Sequence, residues 1–477
     1  NELISALIVS FAQVPESIAF ALLAGVEPIL GLHSAWMIGL IVHTTGGRPG
    51  MISGATGGIG AILTPFMQDL GVGYLPWILI FSGIMVVILA LFGVHKLARL
   101  VPETVMIGFV NGLAIIIGWS QIHTFEKAKD GSELAWMIAL AIVTFLTIEF
   151  LPKLTTKVPS SLVGIILCTV CEYLIVRLAA NMETPLIRDL GDISGNLPKI
   201  VWIDDNWDVP ILNWDTFKKI IEPSILIMLV SITEDVMTID VVADLTKTPQ
   251  NNYTKQQLIS MGIANVIGGI CGNMGGHATI GLSMINCHVG GNGYYRLSGV
   301  VASIFVLCIL LFAAPVLQII PAAALIGVMS VVVYHTFEWH SLLIVGVTFL
   351  PLKAREYLDD KIQRLKSHSK INRTDAIVII LVTAMTIITN LAIAVIAGIL
   401  FSALVYSWQS GFEFTVKRQL IDAPYMSMSR ASIIDSPQSD NDNNNSNDNN
   451  NDIEMAKTKS NGDNDDNVFS DNENNDE

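Results

Sequence analysis

The sequence predicts an all-α polytopic membrane protein made of two inverted repeats of about seven spans each. Three observations carry this prediction. The first is composition: 52% of the 477 residues are hydrophobic and 14% are charged, where soluble domains carry about 25% charged residues. The second is an internal echo. Pro102 and Pro321 stand 219 residues apart, as do Gly108 and Gly327, while Glu16 and Glu234 are separated by 218 and Thr56 and Thr279 by 223. The third is a pair of matching breaks, Ser53-Gly54-Ala55-Thr56-Gly57-Gly58 and Gly276-His277-Ala278-Thr279-Ile280-Gly281. Each places Ala-Thr and then a glycine at the mouth of an apolar helix.

The elements follow in order. The first span holds Gln13, Glu16 and Phe20 at i, i+3 and i+7, hence on one face, with Pro15 and Gly25 interrupting it. The first Ala-Thr break opens a short third helix. Ile78–Val94, Ala135–Leu151 and Leu162–Val176 are apolar runs approaching the ~20 residues that cross a bilayer. Together with the stretch after Pro102 they complete a first repeat over 1–180. Residues 181–221 form an acidic connection carrying Glu183, Asp189, Asp192, Asp204, Asp205 and Asp208. A second repeat over 222–415 begins with the Glu234 helix and continues through the second Ala-Thr break, Leu297–Ala314 and the stretch after Pro321. A basic insertion at about 350–373 precedes Ala376–Leu400, which has room for more than one crossing with the residues after it.

An odd number of spans per repeat forces opposite orientations on the two halves. Lys96, Arg99, Lys153, Lys157, Lys247, Lys255, Arg296, Lys417 and the basic insertion then all fall on one side. That side is cytoplasmic by the positive-inside rule, with both termini there and the acidic connection outside. The sequons at Asn252, Asn372 and Asn444 share the cytoplasmic side and are expected to stay unused. The net charge of −15 says little about a substrate, because 423–477 holds 13 Asp/Glu against 3 Lys/Arg. That Asn- and Asp-rich tail cannot bury a core and is expected to be disordered. The five cysteines lie in or beside apolar segments and read as small buried residues. Residue 1 is not Met and opens almost directly into a span, so the N-terminus reads as truncated.

Chemistry is expected where polar groups enter the membrane, since they are costly there and usually face a pathway. A broken helix leaves its first N–H groups unsatisfied, and with the helix dipole they form an anion site. Two such starts, one per half, point to a secondary transporter. Gln13 and Phe20 then line the site, although Gln13 has the alternative of satisfying a nearby backbone group. Ala55, Thr56 and Gly57 supply one set of donors, and Ala278 and Thr279 the other. His277 adds a further donor or serves as a structural histidine. Glu234 and Thr238 lie one turn apart, so they are candidates to hold Na⁺ through oxygen ligands or to carry a proton. Asp235, Asp240 and Asp244 complete the carboxylates of that span. No phosphate loop, metal spacing or nucleophile constellation is present, so neither an enzyme nor a cofactor is expected.

These residues carry a resemblance to the sulfate permease (SulP) family, also called solute carrier family 26. The matching runs are Gln13–Phe20 with Ala24-Gly25-Val26, Ile52–Gly57, Gly108-Phe109 with Gly112, and Glu234–Thr246. Gly262–Asn265, Gly272–Gly276, Ser283–Asn286 and Leu297-Ser298-Gly299 continue the set in family order. The resemblance covers residues 3 to about 415. It implies a seven-plus-seven fold with core and gate domains, and an anion between the N-termini of the third and tenth helices carried by an elevator movement. By position it implies Gln13, Phe20 (usually Tyr in the family), Ala55, Thr56, Ala278 and Thr279 at the anion, and Glu234 with Thr238 at the coupling ion. Na⁺-coupled bicarbonate members look to carry Asp at that acidic position, and Glu is more like the proton-coupled sulfate members. The family usually ends in a cytoplasmic STAS domain, whereas here only the tail follows residue 422.

The expected function is secondary transport of an inorganic oxyanion, sulfate before bicarbonate, by H⁺ symport or anion exchange. Expected partners are that anion, H⁺ or Na⁺, the lipid bilayer and a second copy in a homodimer, with no nucleic acid. The plasma membrane is the expected site. Rivals are a nucleobase carrier of like architecture, which would need more side-chain amides to read a base edge, and an anion channel.

Overall fold

In lipid every backbone polar group must be satisfied within the protein, which favours helices. The computed structural model describes residues 2–93, 103–155, 158–191, 193–205, 207–248, 253–290, 295–348 and 373–388. The described part of the first repeat is α1 (Glu2–Ala24), α2 (Pro28–Thr45), α3 (Gly57–Leu70), α4 (Leu75–Leu91), α5 (Glu103–Phe125), α6 (Gly131–Leu154) and α7 (Ser160–Cys171). The second repeat has α8 (Trp214–Thr246), α9 (Thr254–Cys271), α10 (Ile280–Val289), α11 (Leu297–Gln318), α12 (Ala322–Thr336), α13 (Trp339–Thr348) and α14 (Arg373–Ile388). Two short strands, β1 (Ser53–Gly54) and β2 (His277–Ala278), pair antiparallel with Ser53 opposite Ala278 and Gly54 opposite His277.

Among the described residues, six helical segments are long and apolar enough to span: Glu2–Ala24, Val72–Leu91, Thr104–Phe125, Gly131–Leu154, Ser160–Ala179 and Leu297–Gln318. By contrast α3 has 14 residues and α10 has 10, too short to cross ~30 Å of hydrocarbon at about 1.5 Å per residue. The α8 helix is the opposite case. It has 33 residues and begins within the stretch that the sequence assigns to the acidic connection. The Asn213 side chain accepts the Thr216 N–H at 2.8 Å, a cap that starts the helix ahead of its apolar part.

The helices sort into two groups. In one, α4 packs on α9, α2 on α1, α9 and α11, and α8 on α3, α4 and α10. In the other, α5 packs on α12 and α14, and α6 on α7 and α12. The groups meet where α1 touches α12 and α3 touches α5. At the far end of α7 the chain widens into a π-helix over Glu172–Ala179. Glu172, fully buried, accepts from Arg177 Nε at 2.9 Å and from the Thr184 hydroxyl at 2.8 Å there. The basic insertion, the last span of the second repeat, the tail and the lysines at 96, 157 and 417 lie outside the described residues.

Candidate functional site

The site is assembled where the two short strands cross. Glycine is required there because the backbones touch. A Cβ on Gly276 would collide with the Gly54 carbonyl, and one on Gly54 would collide with the Gln13 amide. The Asn265 side chain clamps Gly276 from both sides, donating to its carbonyl at 2.9 Å and accepting its N–H at 3.0 Å. On the other flank Ser283 Oγ accepts the Ile52 N–H at 2.9 Å, and Asn286 Nδ2 donates to the Gly50 carbonyl at 2.9 Å. This polar scaffold holds two helix starts in register across more than 200 residues of sequence.

At the first start Thr56 is extended (φ −140°, ψ 153°), and its carbonyl accepts the Gly60 N–H at 3.1 Å. The N–H groups of Gly57, Gly58 and Ile59 open the helix with no carbonyl of that helix behind them. The Phe20 ring edge lies against this turn: a Cβ on Gly57 would stand 3.0 Å from Phe20 Cε1 and 2.6 Å from Ile117 Cδ1. From the other side come α8 and β2. A Cβ on Gly58 would lie 3.2 Å from His277 Nε2 and 3.9 Å from Glu234 Oε1. Phe20, Gly57, Gly58, His277 and Glu234 therefore surround one helix N-terminus.

Neither threonine caps its own helix through its side chain. Thr56 Oγ1 lies 2.7 Å from His277 Nε2, and His277 Nδ1 lies 3.0 Å from the Ala278 carbonyl. A carbonyl only accepts, so the proton is assigned to Nδ1, and in the neutral ring the Thr56 hydroxyl donates to Nε2. The two half-helix starts are thus tied by a side-chain bond as well as by the strands.

The residues that lead into the second start are engaged by the protein itself. The Ala278 N–H donates to Asp235 Oδ1 at 2.8 Å. The Thr279 N–H and hydroxyl both reach the Ile52 carbonyl, at 2.9 and 3.1 Å. The sequence reading counts Ala278 and Thr279 as donors equivalent to Ala55 and Thr56; here their groups are bonded within the scaffold. Gln13 follows its structural alternative: Nε2 donates to the Ser53 carbonyl at 3.2 Å and the Ala35 carbonyl at 3.4 Å. Thr238 lies one turn below Glu234, but its hydroxyl donates to the Glu234 backbone carbonyl at 2.7 Å and not to the carboxylate.

Three features escaped the sequence reading. Asp235 is fully buried beside Glu234, with Oδ2 lacking a hydrogen-bond partner. Gln257 connects it at 3.5 Å to the loop before β1, where the Arg48 N–H donates to Gln257 Oε1 at 2.9 Å. The buried hydroxyls of Ser53 and Ser231 have no partner. Ser231 shares a face with Asp235 one turn away, a spacing visible in the sequence. The bond from Ala278 to Asp235 spans 43 positions and was not. No ion pair among the described residues involves Glu234 or Asp235.

Comparison with known proteins gives a consistent picture. The chain matches the Sulfate permease family over residues 1–148 and 132–346. It is 34% identical over 408 residues to "Putative sulfate transporter YbaR" of Bacillus subtilis, covering 85% of this chain and 76% of that protein. It is 28% identical to "Bicarbonate transporter BicA" of Synechocystis, covering 65% of this chain and 56% of that protein. Among solved structures, the transmembrane domain of a cyanobacterial BicA superposes with a TM-score of 0.64 at 21% identity, covering 81% of this chain and 97% of that one. Murine Slc26a9, an anion transporter in the inward-facing state, superposes with a TM-score of 0.65 at 16% identity, covering 86% and 68%.

Proposed function

Because the chain belongs to the sulfate permease family, we propose that it is a secondary transporter of inorganic oxyanions, with sulfate first. The observation that carries this reading is the cluster around the α3 N-terminus. Unbonded backbone donors, the positive end of a helix dipole and an aromatic edge converge there on one buried point, with an acidic side chain beside it. An oxyanion fits such a site because it accepts several N–H groups at once and is held by the dipole of about half a charge.

On this reading Phe20, Ala55, Thr56, Gly57 and Gly58 form the anion's side of the site, with His277 linking it to β2. Gln13, Ala278 and Thr279 support it through the hydrogen bonds described above. Glu234 is the coupling group, with Thr238 fixing the turn below it, and H⁺ symport suits a buried carboxylate that one proton can neutralise. Anion exchange is the other mode consistent with this site, and elevator movement of one helix group against the other carries the anion across. The assembly is a homodimer in the plasma membrane with both termini cytoplasmic.

The second reading is Na⁺-coupled bicarbonate transport. Two adjacent buried carboxylates without a cationic partner favour it, since a bound cation would offset their charge. The deciding experiment is uptake of labelled sulfate and labelled bicarbonate into proteoliposomes under imposed proton and Na⁺ gradients. Proton-driven sulfate accumulation supports the first reading. Na⁺-driven bicarbonate accumulation replaces it with the second, and uptake of neither anion refutes both.

A further inference from the structure

The two half-helix starts are alike in sequence and differ in the strand that leads into them, for only the second carries a bond to a carboxylate. At α3 the first-turn N–H groups are open. In β2, just ahead of α10, a carboxylate of the protein already engages the backbone: Asp235 Oδ1 accepts the Ala278 N–H at 2.8 Å. Its placement is built. The side chain is fully buried, and Gln257 reaches Oδ1 from α9 at 3.5 Å. Gln257 is itself oriented by the Arg48 N–H at 2.9 Å. Oδ2 has no hydrogen-bond partner. The nearest charged or titratable neighbours named by the geometry are Glu234 on the same helix, His277 on β2 and, across Gln257, Arg48.

We propose that Asp235, buried next to Glu234 and held on the strand that leads into α10, is the residue that sets the site's preference between singly and doubly charged oxyanions. The inference rests on the reading that an oxyanion binds between the half-helix ends. Its physical basis is that Coulomb repulsion scales with the charge of the substrate. A fixed negative group therefore penalises a dianion by the square of the factor by which it penalises a monoanion. Removing the charge tightens binding of both and tightens the dianion more.

The test is anion binding to the purified full chain, read as the rise in thermal unfolding midpoint on titration with sulfate and with bicarbonate. Asp235→Asn keeps an oxygen for the Ala278 N–H and removes the charge; Asp235→Ser serves the same purpose if the first variant is not monodisperse. The expected result is tightening of about threefold for bicarbonate and about tenfold for sulfate, with the sulfate-to-bicarbonate ratio of Asp244→Asn unchanged from the parent. A purely structural Asp235 would instead weaken both anions alike, and an unmoved ratio in the Asp235 variants overturns the inference. Because the readout is binding, it separates this failure from failure of the transport reading, which shows as absent flux. If neither anion stabilises the parent protein, the inference is overturned, and flux alone decides the transport reading.

Discussion

Placing a methyl on Gly58 separates the stability of the site from its use. In the interior of a helix Ala is favoured over Gly by about 1 kcal/mol, and at Gly58, in the first turn of α3, only part of that gain applies. The new Cβ would meet Val230 Cγ1 at 3.1 Å and His277 Nε2 at 3.2 Å, close enough that these neighbours must move by a few tenths of an ångström. Those effects oppose each other, so the unfolding midpoint of Gly58→Ala is expected to stay within a few degrees of the parent. The anion is affected differently. The methyl projects between the α3 N-terminus, His277 and Glu234, in the space an oxyanion needs in order to reach the first-turn N–H groups. Losing one hydrogen bond to a charged acceptor costs about 1.5–3 kcal/mol, which is about 10- to 100-fold in affinity. The assay is concentration-dependent uptake of labelled sulfate in proteoliposomes, with the midpoint measured on the same preparation. A raised KM at an unchanged midpoint is expected. An unchanged KM in a stable protein would refute the placement of the anion at α3.

Other expectations follow from the same geometry. Glu234→Gln should leave anion binding intact, because the α3 donors remain, while uptake stops responding to an imposed ion gradient; uptake that is still gradient-driven would remove Glu234 from coupling. Asn265→Leu loses both bonds to the Gly276 backbone, and with about 1–3 kcal/mol per unsatisfied buried group its unfolding midpoint should fall well below that of Gly58→Ala, as thermal denaturation will report. In the loop before α6, Asp130 caps the helix by accepting the Glu133 N–H at 2.8 Å, and this bond holds its carboxyl below the ordinary 3.8. A depressed carboxyl stabilises the fold above its ordinary value and loses that effect as pH falls through the folded value. Asp130→Asn should therefore narrow the stability difference between neutral pH and pH 3 slightly, by an amount that salt reduces.

Much of the frame was legible because membrane helices must be apolar and long, and broken ones must carry glycine. The offset between Pro102 and Pro321 gave the repeat, and the Ala-Thr breaks became N-caps at Thr56 and Thr279, as the pattern implies. What stayed hidden depended on pairing over distance. Gln13 looked like a donor to a ligand, but which acceptor a buried amide finds is set by the Ser53 and Ala35 carbonyls, and no local pattern announces them. Asp235 was read as one of four carboxylates of unknown partner, because the Ala278 N–H it binds is brought up by a strand crossing. The early start of α8 at Trp214 shows the same limit: a side-chain cap in a polar stretch outweighs the hydropathy by which spans are recognised.

On the proposed reading, the charges around the two half-helices bear on why a coupling ion would be needed. Two helix N-termini offer together about one positive charge, and an ionised Asp235 on the Ala278 N–H offsets about that much. Glu234 then adds a negative charge in a site with no ion-paired Lys or Arg among the described residues. An oxyanion entering such a site would meet net repulsion in a low dielectric, despite the open donors at α3. Binding becomes favourable when the negative charge beside α3 is neutralised, by a proton or a cation at Glu234. On the proposed reading, then, the coupling ion is required electrostatically for the anion to dwell at the midplane. The same requirement makes a transporter with Glu234 replaced by Gln one that still binds the anion and is a poorer accumulator.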